Sequence, residues 1–359
     1  MDGKIQDRAR GGFDVSPGKE SEQRLARRDF SRDQGQMRLV PPGLAFWRLY
    51  LVEMRPYLMF LSAVTGVVGM AFAPEISALK LLGLTALFFL AYGFGQALTD
   101  CFQTDTDALS APYRPLAQGR LRQPDVLVVS LAGLIAGGVI LAVYNPLNLA
   151  LVAVGVAGLA TYTWFKRRWW GGPFYNACIV ADLCLIGYAS GLGAAGASFE
   201  WTPQLGAALF TVLFGYGNFV LAGYFKDVSA DRASGYRTMP VVFGLRPSAL
   251  ASDALAVLAL LSCGLTLALV NAPDLDAGLL LSATFMIGAT AWTALGQLRL
   301  HEVAIESEAH RAIAPAVHAY ILMLSAVTVA LQPEWAALLA ILYAGFLIAM
   351  AQRPMKEQI

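Results

Sequence analysis

Long apolar runs constrain the fold of this chain more than any other feature of its sequence. A helix needs roughly 20 apolar residues to cross a bilayer. Ten candidate spans lie at about 57–73, 78–98, 125–144, 147–165, 174–194, 204–225, 248–270, 277–298, 312–331 and 335–351. Composition agrees, because 57% of the residues are hydrophobic and only 14% are charged, unlike an ordinary soluble domain. The sequence predicts an all-α fold, a polytopic membrane helical bundle of nine to ten transmembrane helices around a central cavity.

The basic residues predict how this bundle is oriented. Nearly all of the 26 lysines and arginines lie near the two ends of the chain or after the second, fourth, sixth and eighth spans; Lys80 is the exception. The positive-inside rule then places both termini and these loops in the cytoplasm, in a multi-pass protein of the cell inner (cytoplasmic) membrane. Residues 1–40 are polar and Gly-rich, which predicts a disordered cytoplasmic leader before a membrane-embedded domain at 41–359. The net charge of +1 gives no indication of nucleic acid, and membrane lipid is the expected surrounding.

Two acidic loops follow the second and sixth spans. The first acidic loop, residues 99–125, reads "TDCFQTDTDALSAPYRPLAQGRLRQPD", and the second, residues 224–244, reads "YFKDVSADRASGYRTMPVVFG". Helical spacing puts the acidic and amide side chains of each loop on one helix face. Mg²⁺ typically binds through a few carboxylates plus substrate phosphates, and basic residues donate to phosphate oxygens. The predicted Mg²⁺ ligands are Asp100, Gln103, Asp107, Asp227 and Asp231.

These observations predict a diphosphate held at the bilayer surface, with its apolar tail between the helices. For either loop alone, a second interpretation is open: solvated loop charges whose arginines only set the topology. The presence of two such loops on one face favours a site.

Both loops resemble the two aspartate-rich motifs of the UbiA superfamily of intramembrane prenyltransferases. "TYTWFKRRWWGGPFYNA", residues 161–177, resembles the loop after the fourth span in that family, and the resemblance covers about residues 50–330. It implies a helical bundle, usually of nine spans, in which two aspartate-rich segments bind Mg²⁺ and an isoprenyl diphosphate below a cap. The first motif departs from the family pattern, because Thr99 and Gln103 stand where Asn and Asp are usual. Since an amide oxygen is a weaker Mg²⁺ ligand than a carboxylate, the metal count and the acceptor chemistry stay open.

The resemblance implies ionisation of an allylic diphosphate and capture of the prenyl group by a lipophilic acceptor, such as an aromatic ring or a quinone precursor. A terpene cyclase on the same scaffold is the alternative, in which a double bond within the substrate replaces the acceptor. A transporter is disfavoured, because transporter sites usually lie near the bilayer midplane and these acids lie at the ends of spans.

Several further residues are candidates. Asp182 lies inside a span, where an ionisable side chain is costly, and is predicted to be catalytic, orienting an acceptor or abstracting a proton; a neutral or paired structural carboxyl is the alternative. Aromatic rings can stabilise a prenyl cation, which makes Tyr224 a candidate. The predicted substrate-binding residues are Arg55, Arg114, Lys166, Asn176, Asn218, Tyr224, Lys226, Arg232 and Arg237. The amides are the weaker candidates, since they can simply bond across helices.

Overall fold

The regular structure of the described residues is helical. The structure is a computed structural model and describes residues 43–270 and 277–353, so the predicted leader lies outside the described residues. No strand occurs in these two ranges. The helices are α1 Leu44–Glu53, α2 Met59–Ala71, α3 Ala78–Asp100, α4 Thr104–Ser110, α5 Gln123–Tyr144, α6 Leu147–Arg168, α7 Gly172–Ala195, α8 Pro203–Gly223, α9 Val228–Ala233, α10 Met239–Phe243, α11 Leu245–Leu269, α12 Ala277–Glu302, α13 His310–Leu331 and α14 Ala336–Ala351.

Within the described ranges, nine helices are long and apolar enough to cross a membrane, which confirms the predicted membrane bundle. Each of the ten predicted spans falls on a helix, but the first is much shorter than expected. α2 has 13 residues, a length of about 20 Å, and therefore cannot cross a hydrocarbon core of about 30 Å by itself. Pro56 before it and Pro74 after it restrict the helix at both ends.

The centre of the bundle is formed by α8 and α13, whose apolar stretches are 72% and 89% buried. α13 packs against α12, α8 and α2, and α2 packs in turn on α7 and α3. The contact between α2 and α7 requires glycine: a Cβ at Gly69 would lie 2.1 Å from the Cys184 carbonyl oxygen, and one at Gly187 would lie 2.4 Å from that of Gly66. Such small residues allow close helix packing in membranes.

The outer helices leave most of their surface uncovered. The apolar stretches of α5 and α6 are only 22% and 17% buried, and most of their exposed side chains are Val, Leu, Ile and Ala. This surface is the one that lipid would cover.

The two acidic loops meet at one end of the bundle, which we call the charged end. α4 belongs to the first loop and α9 to the second, and these short helices pack against each other. The polar residues that follow the second and sixth spans therefore lie together at the charged end, as the sequence predicts.

Candidate active site

One cavity of about 270 Å³ begins at the charged end and continues between α3, α5, α6, α7 and α8. Its charged end is lined by both acidic loops, through Asp100, Gln103, Asp107 and Asp227. The remaining wall is formed largely by Leu, Val, Ile, Phe and Gly side chains. The cavity thus has one polar end and a long apolar part, a shape that fits an amphipathic molecule.

In the first acidic loop, two arginines bind the two buried aspartates. Arg55 Nη2 donates to Asp100 Oδ1 at 2.9 Å and to Oδ2 at 2.7 Å, and Gln96 Nε2 donates to Oδ1 at 2.8 Å. Arg114 Nη1 lies 2.6 Å from Asp107 Oδ2 and 3.7 Å from Asp100 Oδ2. All four charged side chains line the cavity, so this end carries two cations and two anions in contact.

The backbone at Arg55 is unusual. Among the described residues, it alone combines a side chain with a positive φ, 52°. This conformation costs a side-chain-bearing residue of order 1–3 kcal/mol and persists only where the surroundings enforce it. Here it lies in the turn between α1 and α2 and directs the guanidinium onto Asp100, which is consistent with a functional role for the turn.

In the second acidic loop, the buried carboxylate is bound by a lysine from another helix. Asp231 lies in α9 and is fully buried, and Lys166 Nζ from the end of α6 lies 3.3 Å from its Oδ1. Lys166 Nζ also donates to Gln103 Oε1 in the first loop, at 3.5 Å. One lysine therefore contacts both acidic loops, because it lies between Gln103, which lines the cavity, and Asp231, which is buried behind it.

Tyrosines surround this lysine. Its Nζ lies 5.0 Å from the ring centres of Tyr224 and Tyr236, within cation–π range. The hydroxyls of Tyr224 and Tyr162 are 2.7 Å apart. A Cβ at Gly172 would lie 2.4 Å from the Tyr224 hydroxyl, so glycine is needed where α7 begins. Lys166 Nζ is thus surrounded by aromatic faces as well as by oxygen atoms.

Burial raises the pKa of acidic groups in the two loops and in α1. It raises the pKa of Asp107 to about 6, although Arg114 beside it opposes the rise. It also raises the pKa of Asp231, which Lys166 opposes. The pKa of Glu53 in α1 rises to about 7, first because the carboxyl is buried and second because Asp100 is near. In such surroundings, a cation that binds the carboxylate stabilises its charged form.

The predicted metal ligands are together at this end, but most are already bound to basic side chains. In residues 43–270 and 277–353, no three Asp, Glu, His or Cys side chains converge closely enough to hold one metal ion. The partners of Asp100, Asp107 and Asp231 are Arg55, Arg114 and Lys166 respectively.

The other predicted site residues divide into two groups. Asn176, Asp182, Tyr224 and Lys226 line the cavity with the acidic loops. Asn218 does not: its Oδ1 accepts from Ser252 Oγ at 2.6 Å and from Gln297 Nε2 at 3.0 Å, so this amide joins α8 to α11 and α12. Arg232 and Arg237 are exposed side chains that do not line the cavity.

The structure adds residues that the sequence argument did not find. Glu53 is 1% exposed, and its Oε1 accepts from the backbone N–H of Leu116 at 2.6 Å, two residues beyond Arg114. Glu306 accepts from the backbone N–H and the hydroxyl of Ser229, both at 2.6 Å, and so holds the second loop. A lone acid in the apolar stretch "FWRLYLVEMRP" was the available signal for Glu53.

Comparisons with known proteins agree with the fold and with the two loops. A model of the UbiA prenyltransferase family matches residues 60–311. Digeranylgeranylglyceryl phosphate synthase of Natronomonas pharaonis is 32% identical over 174 residues, which are 48% of this chain and 60% of that protein. The enzyme of the same name from Thermococcus kodakarensis is 26% identical over 252 residues, 67% of this chain and 87% of that protein.

A solved structure has the same fold. A UbiA homologue from Archaeoglobus fulgidus, bound to GPP and Mg²⁺, superimposes with a TM-score of 0.57 at 17% identity, covering 79% of this chain and 99% of that one. At this identity the likeness establishes the fold alone. The family match extends over more than half of the chain and includes both acidic loops. This chain therefore belongs to the UbiA prenyltransferase family.

Proposed function

We propose that this protein binds an isoprenyl diphosphate at the charged end of the cavity and transfers the prenyl group to a lipophilic acceptor, with Mg²⁺ as the cofactor. The observation that carries the proposal is the contact of Lys166 with both acidic loops above one apolar cavity. A diphosphate needs several cations at one end of its site, and a prenyl chain needs an apolar space beyond them.

Four basic residues are placed to hold the diphosphate. Arg55, Arg114, Lys166 and Lys226 all line the charged end of the cavity. Arginine donates in a planar fork that matches phosphate oxygens, and lysine acts as a compact charge. We assign these four as the diphosphate ligands; Arg232 and Arg237, being exposed, would meet it only after a movement of the second loop.

The donor set fits Mg²⁺ by its chemistry. Magnesium prefers hard oxygen ligands and is usually held by one or two carboxylates together with substrate phosphates, so it does not need three protein carboxylates. Asp100, Gln103, Asp107, Asp227 and Asp231 supply such oxygens on the two loops. When bound, Mg²⁺ offsets the negative charge of the leaving diphosphate.

The side chains of this chain then account for the remaining chemistry. The bond between the allylic carbon and the diphosphate oxygen breaks, and the oxygen keeps the electron pair. The arginines and lysines stabilise the charge that develops there. The acceptor forms the new bond to the allylic carbon and loses a proton. Tyr162 and Tyr224 present aromatic groups where the developing allylic cation would lie, and the apolar wall keeps water from capturing it.

The relatives support the donor class. The Archaeoglobus homologue is bound to GPP and Mg²⁺, and curated relatives are named digeranylgeranylglyceryl phosphate synthase. We place the charged end at the cytoplasmic side of the cell inner membrane, because the lysines and arginines are concentrated in its loops and at the ends of the chain.

The test uses the purified full-length enzyme, Mg²⁺ and a panel of C10, C15 and C20 allylic diphosphates. Diphosphate release and product masses are measured with and without a lipid extract as the source of acceptor. Prenyl transfer predicts slow release alone and faster release, with a prenylated product, when the extract is added. Cyclic hydrocarbons or alcohols formed without the extract would indicate that the enzyme is a terpene cyclase and not a prenyltransferase. No Mg²⁺-dependent release from any of the diphosphates would overturn the proposal.

A further inference from the structure

Asp182 is a carboxyl in the apolar part of the cavity, far from the cations at the charged end. It lies six residues beyond Asn176 on α7, about 9 Å further along the helix axis at 1.5 Å per residue. Gly155 faces it from α6, and Gly155 lies 11 residues, or about 16 Å, from Lys166. The carboxyl therefore lies well below the position proposed for the diphosphate.

The immediate surroundings of Asp182 are apolar. The cavity residues beside it on α7 are Ile179, Val180, Leu183 and Ile186. The Oδ2 atom is buried, and no donor among the described residues bonds it. The basic residues that line the cavity are the four of the charged end. A buried polar atom with no partner costs free energy, commonly about 1–3 kcal/mol, and a carboxyl inside a span is a candidate functional group for this reason.

The space beside this carboxyl is kept open by glycine. A Cβ at Gly155 would lie 3.2 Å from Asp182 Oδ2, so a larger residue there would occupy the position from which a ligand approaches the carboxyl. Gly137 on α5 also lines the cavity, and nothing lies within 4 Å of the position where its Cβ would be. A prenyl chain is a pure hydrocarbon and gains nothing from a carboxyl, so the group is better explained by a different ligand.

We propose that Asp182 is the polar subsite for the second substrate, and that this acceptor is a lipophilic alcohol or phenol whose hydroxyl donates to the Asp182 carboxyl. This inference rests on the proposed function and deepens it. The hydroxyl fixes how far the acceptor enters the apolar part of the cavity, while its nucleophilic atom lies toward the charged end. Asp182 selects hydroxylated acceptors over their ethers, because a site built to accept a hydrogen bond loses that bond with an ether.

Equilibrium binding of a matched pair of probes tests the inference without turnover. 4-Hexylphenol and 4-hexylanisole differ in the hydroxyl donor, and native mass spectrometry of the full-length protein in detergent gives the dissociation constant of each. We expect wild type to prefer the phenol by about tenfold, the value of one hydrogen bond to a carboxyl. The preference should disappear in Asp182→Leu and persist in Asp182→Asn, whose amide oxygen still accepts.

A second pair of variants tests the space beside the carboxyl. Gly155→Ala should weaken phenol binding several-fold, whereas Gly264→Ala, in α11 with nothing within 4 Å of its Cβ position and outside the cavity, should leave it unchanged. Equal binding of the two probes to wild type, no detectable phenol binding, or the same preference in Asp182→Leu would each overturn the inference.

The thermal stability of Asp182→Leu separates a binding role from a structural one. Because Oδ2 has no bonding partner among the described residues, this variant should melt at the same temperature as wild type or higher. A marked fall would identify a structural role and contradict the inference. Failure of the proposed function would instead appear as missing Mg²⁺-dependent diphosphate release, which this binding experiment does not use.

Discussion

The first acidic loop binds its buried aspartates with two arginines, whereas the second binds its buried aspartate with one lysine from α6. Arg55 contacts Asp100 through two hydrogen bonds of 2.9 and 2.7 Å, and Arg114 lies 2.6 Å from Asp107. The Lys166–Asp231 distance is longer, 3.3 Å. Arginine holds a carboxylate in a fixed planar geometry, while lysine can turn toward another oxygen.

The difference indicates different roles for the two loops, although both carry aspartates followed by an arginine and a proline. The first loop also carries the weaker ligand Gln103 where the family has Asp, and both of its predicted carboxylate ligands are bound by arginines. The second loop keeps both of its aspartates, and Asp227 lines the cavity. We therefore expect the second loop to contribute more to Mg²⁺ binding, and the first loop, through Arg114 and the Arg55 that binds Asp100, to contribute more to diphosphate binding.

The largest expected effect comes from the second loop. Asp227→Ala and Asp231→Ala should each reduce Mg²⁺-dependent diphosphate release at least about 100-fold, a loss comparable to removing a main electrostatic contact of a transition state. Release is measured with saturating allylic diphosphate. Asp253→Ala is the matched control, because Asp253 is a partly exposed aspartate 2.7 Å from His301 and outside the cavity.

Asp231→Asn serves as a milder variant, since removing the whole side chain leaves Lys166 buried without its carboxylate. Melting temperatures of all four variants show whether they are folded. Full activity in folded Asp227→Ala or Asp231→Ala would remove the second loop from the metal site.

Next in size is the effect of Lys166, which contacts both loops. Lys166→Met should lower turnover about tenfold or more and raise the KM for the diphosphate, because it removes a phosphate donor and leaves Asp231 without its partner. Arg168→Met is the control, since Arg168 is exposed at the end of the same helix and stacks over Trp164. Equal kinetics for the two variants would contradict a bridging role for Lys166.

A substitution in the first loop tests whether that loop binds Mg²⁺ weakly because of its amide ligand. Gln103→Asp replaces an amide oxygen with a carboxylate, a stronger Mg²⁺ ligand, and should keep or raise activity and lower the Mg²⁺ concentration needed for half-maximal release. A magnesium titration of diphosphate release measures this. Complete loss of activity would mean that the contact of the amide with Lys166 has a role that a carboxylate cannot fill.

The smallest expected effect concerns Glu53, which joins α1 to the first loop. Its folded-state pKa of about 7 lies above its ordinary value of 4.5, so the folded protein retains this proton while the unfolded chain loses it. The stability from this group is present below about pH 4.5 and is lost as the pH rises to about 7. Glu53→Gln keeps the acceptor for the Leu116 N–H but cannot ionise.

Glu53→Gln should therefore melt a few degrees higher than wild type at pH 8, with a smaller difference near pH 5. Thermal denaturation at both values measures the effect, and Glu75→Gln, outside both loops and the cavity, is the control. A melting temperature of Glu53→Gln below that of wild type at pH 8 would mean that the Glu53 carboxylate is stabilised by the nearby arginines more than burial destabilises it.

The positions of the helices and of the acidic loops could be predicted from local patterns in the sequence. Apolar runs of membrane length predict the helices, and each predicted span contains one. Aspartates at helical spacing after the second and sixth spans predict the two loops, and the structure places them at one end of the bundle. The length of α2 was not predictable from hydropathy, because its apolar residues continue beyond both ends of the helix and the two flanking turns end it.

Asn218, Arg232 and Arg237 are predicted site residues that do not line the cavity. The direction of a side chain on a helix is fixed by the neighbouring helices, and one sequence does not specify which face meets which neighbour. Asn218 turns toward α11 and α12, where Ser252 and Gln297 satisfy its amide. The two arginines lie on the outer side of the second loop, because Asp231 and Tyr236 take the inner side.

The membrane class, the helices and the two acidic loops can be predicted from the sequence alone, since each depends on composition and short-range periodicity. The pairing of the polar side chains depends on the packing of the helices: Arg55 with Asp100, Arg114 with Asp107, and Lys166 with both Gln103 and Asp231. Lys166 lies more than 60 positions from both Gln103 and Asp231 in the sequence. Such pairs depend on how separate helices pack, and packing is a property of the whole bundle rather than of any one segment.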